Sequence, residues 1–96
     1  MVCVYPYDEV DQAIAKANAL PFAFQASVVT QDIDFALGCA RKLDAAAVMI
    51  NDHTAFRVDW MPFAGLKQSG LGVGGIPYTF EDMQIDKLIV MRSSEL

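Results

Sequence analysis

The chain of 96 residues has little of several things that would define a function class. It contains two cysteines and one histidine, so neither a disulfide framework nor a zinc ligand set can be assembled from them. Seven basic residues stand against twelve acidic ones, for a net charge of −5, which argues against the clustered basic face that nucleic acid requires. No apolar run approaches the roughly 18 residues that a membrane-spanning helix needs.

The amino terminus also lacks a basic segment followed by an apolar core, so no secretory signal is predicted and we expect a cytoplasmic protein. Apolar side chains, in contrast, make up 54% of the chain. A domain of this size has too much surface to hide that many apolar residues in its own core. We therefore expect a partner surface, either the rest of a longer protein or another copy of the chain.

Three β-rich segments alternate with two segments of helical periodicity, which predicts an α/β fold with a βαβαβ unit and parallel strands. The predicted strands cover about 2–7, 23–30 and 45–50. The first helix is predicted over about 9–19, with Asp8 as its side-chain cap. The second helix opens at Asp32 and has the two basic residues Arg41 and Lys42 in its last turn.

A long glycine-rich loop, 51–75, follows the third predicted strand and carries five of the six glycines. Connections longer than about 12–15 residues without structure of their own are uncommon and tend to be functional. In parallel sheets, ligands bind beyond the carboxyl ends of the strands, and Asn51 stands at such an end. Beyond the loop, the spacing of Thr79 and Asp82 predicts a short capped helix before Asp86, and 87–91 predicts a last apolar strand.

The glycines at positions 70, 72 and 75 satisfy the G-x-G-x-x-G pattern of dinucleotide-binding folds. The context does not fit, because that motif needs a strand directly before it, a helix directly after it and an acidic residue about 20 positions later. A nucleotide-binding function is therefore disfavoured. Positive φ angles and close backbone approaches explain these glycines better.

The segment 62–72, PFAGLKQSGLG, together with the preceding Asn51, resembles the C-terminal signature of the aldehyde dehydrogenase superfamily, P-F-G-G-x-K-x-S-G-x-G. Ala64 replaces the first glycine of the usual pair, which predicts a negative φ at this position. Gly74 and Gly75 stand where many members carry an acidic residue. The resemblance extends over the whole chain.

The resemblance implies a parent enzyme that oxidises an aldehyde to a carboxylic acid with NAD or NADP. Members use a nucleophilic cysteine and a general-base glutamate, which lie upstream of the segment that this chain resembles, as does the cofactor domain. It follows from the resemblance that neither Cys3 nor Cys39 is catalytic and that no cofactor or metal ligand is expected here. Residues 1–85 then correspond to the C-terminal part of the catalytic domain, and 86–96 to a strand and tail that form a homo-oligomer.

Four residues of the loop are candidates for substrate binding. Phe63 matches the aromatic residue of the signature and would wall the substrate tunnel, with an ordinary core aromatic as the alternative. Phe56 falls close to a second pocket aromatic of the family. Asn51 would orient a polar group at the substrate mouth or, equally, cap its own turn.

Arg57 is the most informative of the four, because its planar fork suits a carboxylate, sulfonate or phosphate and not an apolar aldehyde. A salt bridge to Asp59 or Asp52 is an equal alternative. His53 is interpreted as a hydrogen-bonded loop residue, and Lys67 and Ser69 as groups that satisfy loop carbonyls. A different function remains open, a stand-alone interaction module that keeps the fold and the oligomerisation strand without the chemistry.

Overall fold

The computed structural model describes residues 1–95. In chain order, its elements are α1 (Val10–Asn18), β1 (Phe22–Ala23), β2 (Gln25–Val28), α2 (Ile33–Lys42), β3 (Ala47–Ile50), β4 (Phe63–Ala64), β5 (Leu66–Lys67), β6 (Val73–Gly74) and α3 (Ile76–Asp82). Helices and strands alternate in the first half, as an α/β chain requires.

The centre of the fold is the parallel pair of β2 and β3, connected through α2. The two strands run in register from Gln25 opposite Ala47 to Val28 opposite Ile50. The helix begins where predicted, because the side chain of Asp32 accepts a hydrogen bond from the Phe35 amide at 3.1 Å. This β–α–β unit is the part of the predicted βαβαβ unit that the chain forms by itself.

The core is small for so apolar a chain. Its buried apolar side chains come from both long helices and from β1 and β3, and are Ile14, Ala23, Ala36, Cys39 and Met49. The radius of gyration is 19.9 Å, whereas a compact domain of this length has about 12.5 Å. Many apolar side chains therefore remain on the surface, in line with the expected partner surface.

The predicted first strand, 2–7, and last strand, 87–91, are not strands in this structure. Within residues 1–95, strands pair only as β1 with β5, β2 with β3 and β4 with β6. A strand exists through hydrogen bonds to a neighbouring strand, and neither segment finds one within the described chain. The predicted tail 86–96 includes Leu96, which lies outside the described residues.

Two predicted helix starts are also wrong. Helix α1 has Glu9, not Asp8, at its N-cap, and no side chain caps it. Helix α3 begins three residues before Thr79, with Gly75 at the N-cap and Pro77 in the first turn. Proline is favoured in the first turn of a helix because its φ is already helical and its missing N–H is not needed there.

The glycine-rich loop has more structure than its composition indicates. Strand β4 pairs antiparallel with β6, so that Phe63 lies opposite Gly74. Strand β5 turns back to the first half of the chain and pairs antiparallel with β1, where Lys67 lies opposite Phe22. The loop is thereby attached to the β–α–β unit. Among the described residues, no helix has the length and apolar character needed to cross a membrane.

Candidate functional site

Arg57 and Phe63, two of the four predicted site residues, lie against each other. The guanidinium carbon of Arg57 is 4.3 Å from the centroid of the Phe63 ring, within the range of a cation–π contact. Phe24 meets the same ring edge-on, with centroids 5.0 Å apart and an interplanar angle of 89°. The three side chains form a continuous stack, which we call the Arg57 stack.

The elements that hold the Arg57 stack come from distant parts of the chain. Phe63 belongs to β4, and Phe24 lies between β1 and β2. The antiparallel pairs of β1 with β5 and of β4 with β6 set the spacing of these two aromatic residues. Both aromatic residues line a depression of about 770 Å³ together with Phe22, Asp82 and the glycine-rich segment 68–74, whereas Arg57 lines a separate depression with Asp59.

The alternative salt bridge of Arg57 does not occur in the structure. The ion pairs within residues 1–95 are Lys42 with Asp11, Lys67 with Asp44, and the weaker contact of His53 with Asp52. The guanidinium therefore rests on an aromatic face, and no carboxylate of the described chain lies within 4.0 Å. Arginine has five N–H donors, so this arrangement leaves donors available for a ligand.

Asn51 caps the turn at the carboxyl ends of β2 and β3. Its φ is +57°, its side-chain oxygen accepts a hydrogen bond from the Thr30 amide at 2.8 Å, and its own amide donates to Val28 at 2.9 Å. Asparagine tolerates this left-handed conformation better than most residues. The turn-capping alternative is therefore present in the structure.

Phe56 lies apart from the Arg57 stack. It lines a second, open depression of about 340 Å³ together with residues of β3 and with Met61. In the turn before it, Nδ1 of His53 accepts a hydrogen bond from the Ala55 amide at 3.1 Å. His53 is thus a hydrogen-bonded loop histidine, as interpreted from the sequence.

Lys67 and Ser69 make contacts other than those expected. The Lys67 ammonium donates to the carbonyls of Asn18 and Leu20, at 2.6 and 3.4 Å, and lies 3.1 Å from a carboxylate oxygen of Asp44. The carbonyls that it satisfies therefore belong to the end of α1 and not to the loop. Ser69 acts as an acceptor, for the Ala23 amide at 3.0 Å.

Sequence reasoning missed Phe24 and this lysine cluster. From the sequence, Phe24 was identifiable only as a residue of a buried strand, and Lys67 only as a residue of the signature segment. Neither observation identifies the residues that these side chains contact, because β1 and β5 pair across more than 40 positions of the chain. Cys39, in contrast, is buried in α2 as interpreted, and Cys3 is exposed.

The glycines at 70, 72 and 75 do not fit a dinucleotide. A helix does follow Gly75, contrary to expectation, but no strand directly precedes Gly70, and β6 lies between Gly72 and Gly75. A Cβ on Gly75 would lie 2.6 Å from the Met61 carbonyl oxygen. This contact accounts for the glycine at position 75, and the missing strand directly before Gly70 is what argues against the dinucleotide motif.

Comparison with known proteins gives concordant results. The 3-sulfolactaldehyde dehydrogenase of Priestia aryabhattai is 39% identical over 91 residues, which are 95% of this chain and 19% of that protein. Aldehyde dehydrogenase 21 of Physcomitrella patens, solved with its reaction product succinate, superposes with a TM-score of 0.79 at 32% identity over 90% of this chain and 18% of that one.

A third relative is the glyceraldehyde-3-phosphate dehydrogenase of Methanocaldococcus jannaschii, solved with NADP, with a TM-score of 0.71 at 40% identity over 76% of this chain and 16% of that one. The chain spans about a fifth of the length of the curated relatives that it matches. The profile of the aldehyde dehydrogenase family matches residues 1–89. This chain therefore belongs to the aldehyde dehydrogenase family.

Proposed function

We propose that this chain forms part of the substrate side of an NAD(P)-dependent aldehyde dehydrogenase, which oxidises an aldehyde to a carboxylic acid. Residues 1–85 would be the C-terminal part of its catalytic domain and 86–96 its oligomerisation tail. The observation that carries the proposal is the signature segment 62–72, which folds through β4 and β5 and places Phe63 both at an open depression and against the guanidinium of Arg57.

The substrate class that we propose is an aldehyde with an anionic group. Packing on Phe63 holds the Arg57 guanidinium in place, and no carboxylate of the described chain neutralises it. A planar guanidinium binds carboxylate, sulfonate and phosphate oxygens in pairs. The names of the relatives support this class, since they mention a sulfonated aldehyde, a dicarboxylate product and a phosphorylated aldehyde.

The other predicted site residues receive supporting roles. Phe63 would hold the guanidinium on its ring face and Phe24 would support that ring edge-on, while Arg57 itself stays exposed and accessible to a ligand. Phe56 would line the neighbouring wall, where it is half-exposed at 47%. Asn51 would contribute by fixing the turn at the start of the loop, because its side-chain oxygen already accepts a hydrogen bond from the Thr30 amide.

The cofactor of the parent enzyme is NAD or NADP, and solved structures of related enzymes hold one or the other. When bound in the parent enzyme, the cofactor would supply a hydride acceptor for the oxidation. The glycine-rich loop lacks the strand directly before Gly70 that a dinucleotide motif needs, so we assign no cofactor contact to it. The part of this chain in the reaction is therefore to bind and orient the substrate.

The chain by itself is expected to be catalytically silent. Incubated with NAD or NADP and a panel of aldehydes, it should produce no change in absorbance at 340 nm. Neither cysteine carries the sequence context of the family's nucleophile, and Cys39 is buried. Turnover that disappears on Cys3→Ala or Cys39→Ala would contradict this expectation.

The decisive comparison is with the protein encoded by the reading frame that includes the sequence upstream of Met1. The resemblance to the family implies a Glu-x-Phe-Gly-Pro motif, which touches the nicotinamide ribose, just upstream of residue 1. This motif and aldehyde oxidation by the longer protein would support the proposed function. A longer protein with neither would instead favour the interaction module.

Self-association through the tail is a further expected result. The apolar residues Leu88, Ile89 and Val90 are exposed at 86%, 76% and 84%, and they have high β propensity. An exposed apolar segment of this kind is free to form a strand by pairing with another chain. Light scattering coupled to size exclusion should show an oligomer for the unmodified chain.

The matched variants for this experiment are Ile89→Pro and Ser93→Pro. Proline at position 89 removes a backbone donor inside the apolar run, whereas position 93 lies outside the run. Dissociation to a monomer in the first variant only would support the proposal. A monodisperse monomer of the unmodified chain at micromolar concentration would exclude it.

A further inference from the structure

We propose that Lys67 is a positioning residue, which locks the glycine-rich loop onto the carboxyl ends of α1 and α2 and thereby holds the Arg57 stack together. The proposal deepens the proposed function, since it concerns the same substrate wall.

The backbone of Lys67 is a conformational outlier. Its φ is +54°, and within the described chain Asn51 is the other non-glycine residue with a positive φ. Glycine adopts this conformation freely and lysine does not. Such outliers persist where the surroundings over-determine them and are often part of a functional arrangement. A lysine at this position therefore indicates that its side chain is needed.

The side chain of Lys67 connects the ends of both long helices. Its ammonium reaches the Asn18 and Leu20 carbonyls, where the negative end of the α1 dipole favours a cation. It also pairs at 3.1 Å with Asp44, just beyond α2. The side chain is one-third exposed, so these contacts are partly shielded from water.

Asn18 completes this cluster from the α1 side. Its amide nitrogen donates to the Lys42 carbonyl at 2.7 Å, and its amide oxygen accepts from the Asp44 amide at 2.9 Å. The ends of α1 and α2 are thus joined to each other before Lys67 joins the loop to both. We call Asn18, Asp44 and Lys67 the lysine clasp.

A second ion pair near the clasp provides a control. Lys42 contacts Asp11 at 2.6 Å, and the hydrogen bond to Asp11 together with its charge raises the pKa of Lys42 above its usual value. Both of these side chains are more than half exposed, and neither contacts the loop. Removing Lys42 takes away a lysine and an ion pair of the same two helices without touching β5.

The lysine clasp acts on the Arg57 stack through β1 and β5. Phe22 lies opposite Lys67 and Ala23 opposite Leu66, so that the clasp fixes the register of the two strands. Two further hydrogen bonds secure this register, from the Gln68 amide to the Pro21 carbonyl and from the Ala23 amide to Ser69, both at 3.0 Å.

Two aromatic residues adjoin this strand pair. Phe24 follows β1 directly, and Phe63 begins β4, just before β5. Gly65, between β4 and β5, turns so tightly that a Cβ there would lie 2.6 Å from the Ser69 backbone. A shift of β5 against β1 therefore moves the Phe63 ring away from the Phe24 ring. The Arg57 guanidinium, which packs on Phe63, would move as well.

The test uses the 96-residue chain with Lys67→Met, Lys67→Arg and the control Lys42→Met. The first readout is the set of nuclear Overhauser contacts between the Phe24 and Phe63 rings. The second is the dissociation constant for succinate, followed through the Arg57 side-chain resonance. Loss of the Lys67 ammonium should abolish the ring contacts. Succinate binding should weaken on the order of tenfold, because the displaced Arg57 would lose about one hydrogen bond to the succinate carboxylate.

The Arg variant should restore the ring contacts, because its guanidinium can reach the same carbonyls, and Lys42→Met should leave both readouts unchanged. Persistent ring contacts in Lys67→Met would overturn the proposal. Loss of the contacts together with an absence of succinate binding in the unmodified chain would support the clasp and contradict the anion site. The two proposals can therefore fail separately.

Lys67→Gly covers the case in which Lys67→Met loses its helical circular dichroism. Glycine removes the same contacts but suits the left-handed backbone, so the fold should be retained while the ring contacts disappear. A folded Lys67→Gly chain with intact ring contacts would overturn the proposal as well.

Discussion

In the proposed full-length enzyme, replacing Arg57 with leucine is expected to raise the KM for anionic aldehydes by roughly 10- to 150-fold. This range corresponds to about 1.5–3 kcal/mol, the usual contribution of a hydrogen bond to a charged group. Leucine is apolar, like the aromatic surface beside it, but has no donor for a carboxylate, sulfonate or phosphate. The measurement is steady-state kinetics with pairs of aldehydes that differ only in this acidic group.

Neutral aldehydes provide the internal control for Arg57→Leu, and their KM should stay the same or fall. Arg41→Leu is the matched variant, because Arg41 is an exposed arginine in the last turn of α2, away from the wall. Equal losses for anionic and neutral aldehydes would show that Arg57 serves the fold of the loop and does not bind the anion.

Gly75→Ala is expected to cause the largest loss of stability among single methyl additions to the loop. The φ of Gly75 is +116°, and a Cβ there would lie 2.6 Å from the Met61 carbonyl oxygen and 3.3 Å from the Tyr78 ring. The strained backbone costs about 1–3 kcal/mol, and overpacking adds a similar amount. Urea denaturation should therefore show a free energy of unfolding lower by about 3 kcal/mol or more.

Gly70→Ala is the matched control, since the nearest atom to a Cβ there is the Gly65 Cα at an ordinary 3.6 Å. Its free energy of unfolding should change much less than that of Gly75→Ala. Hydrogen exchange locates the effect, and the amides of Ile76 and Thr79 should lose protection first because they bond to Asp59 and Gly75. Similar losses for both variants would refute the steric explanation.

The departure from the usual glycine pair of the signature has a local explanation. Ala64 lies in β4 opposite Val73, and its φ is not among the positive ones of the described chain, as predicted. Gly65 has no comparable freedom, because a Cβ there would lie 2.6 Å from backbone atoms of Ser69. Only the second glycine of the pair is thus needed by this backbone.

The sequence by itself determined the elements whose cause is local. The apolar stripe of α1, the cap at Asp32 and the apolar strands that became β2 and β3 follow from propensity and periodicity within about ten residues. The signature segment also indicated the family without any knowledge of contacts. These features depend on neighbours along the chain, so the sequence contains them directly.

Tertiary structure alone decided which distant segments meet. Whether Arg57 formed a salt bridge or lay on Phe63 depended on the pairing of β4 with β6, and the partners of Lys67 depended on the register of β1 and β5. Periodicity states which face of a segment is apolar but not which segment covers it. The predicted strands 2–7 and 87–91 remained unpaired for the same reason, because a strand needs the edge of another strand as well as suitable residues.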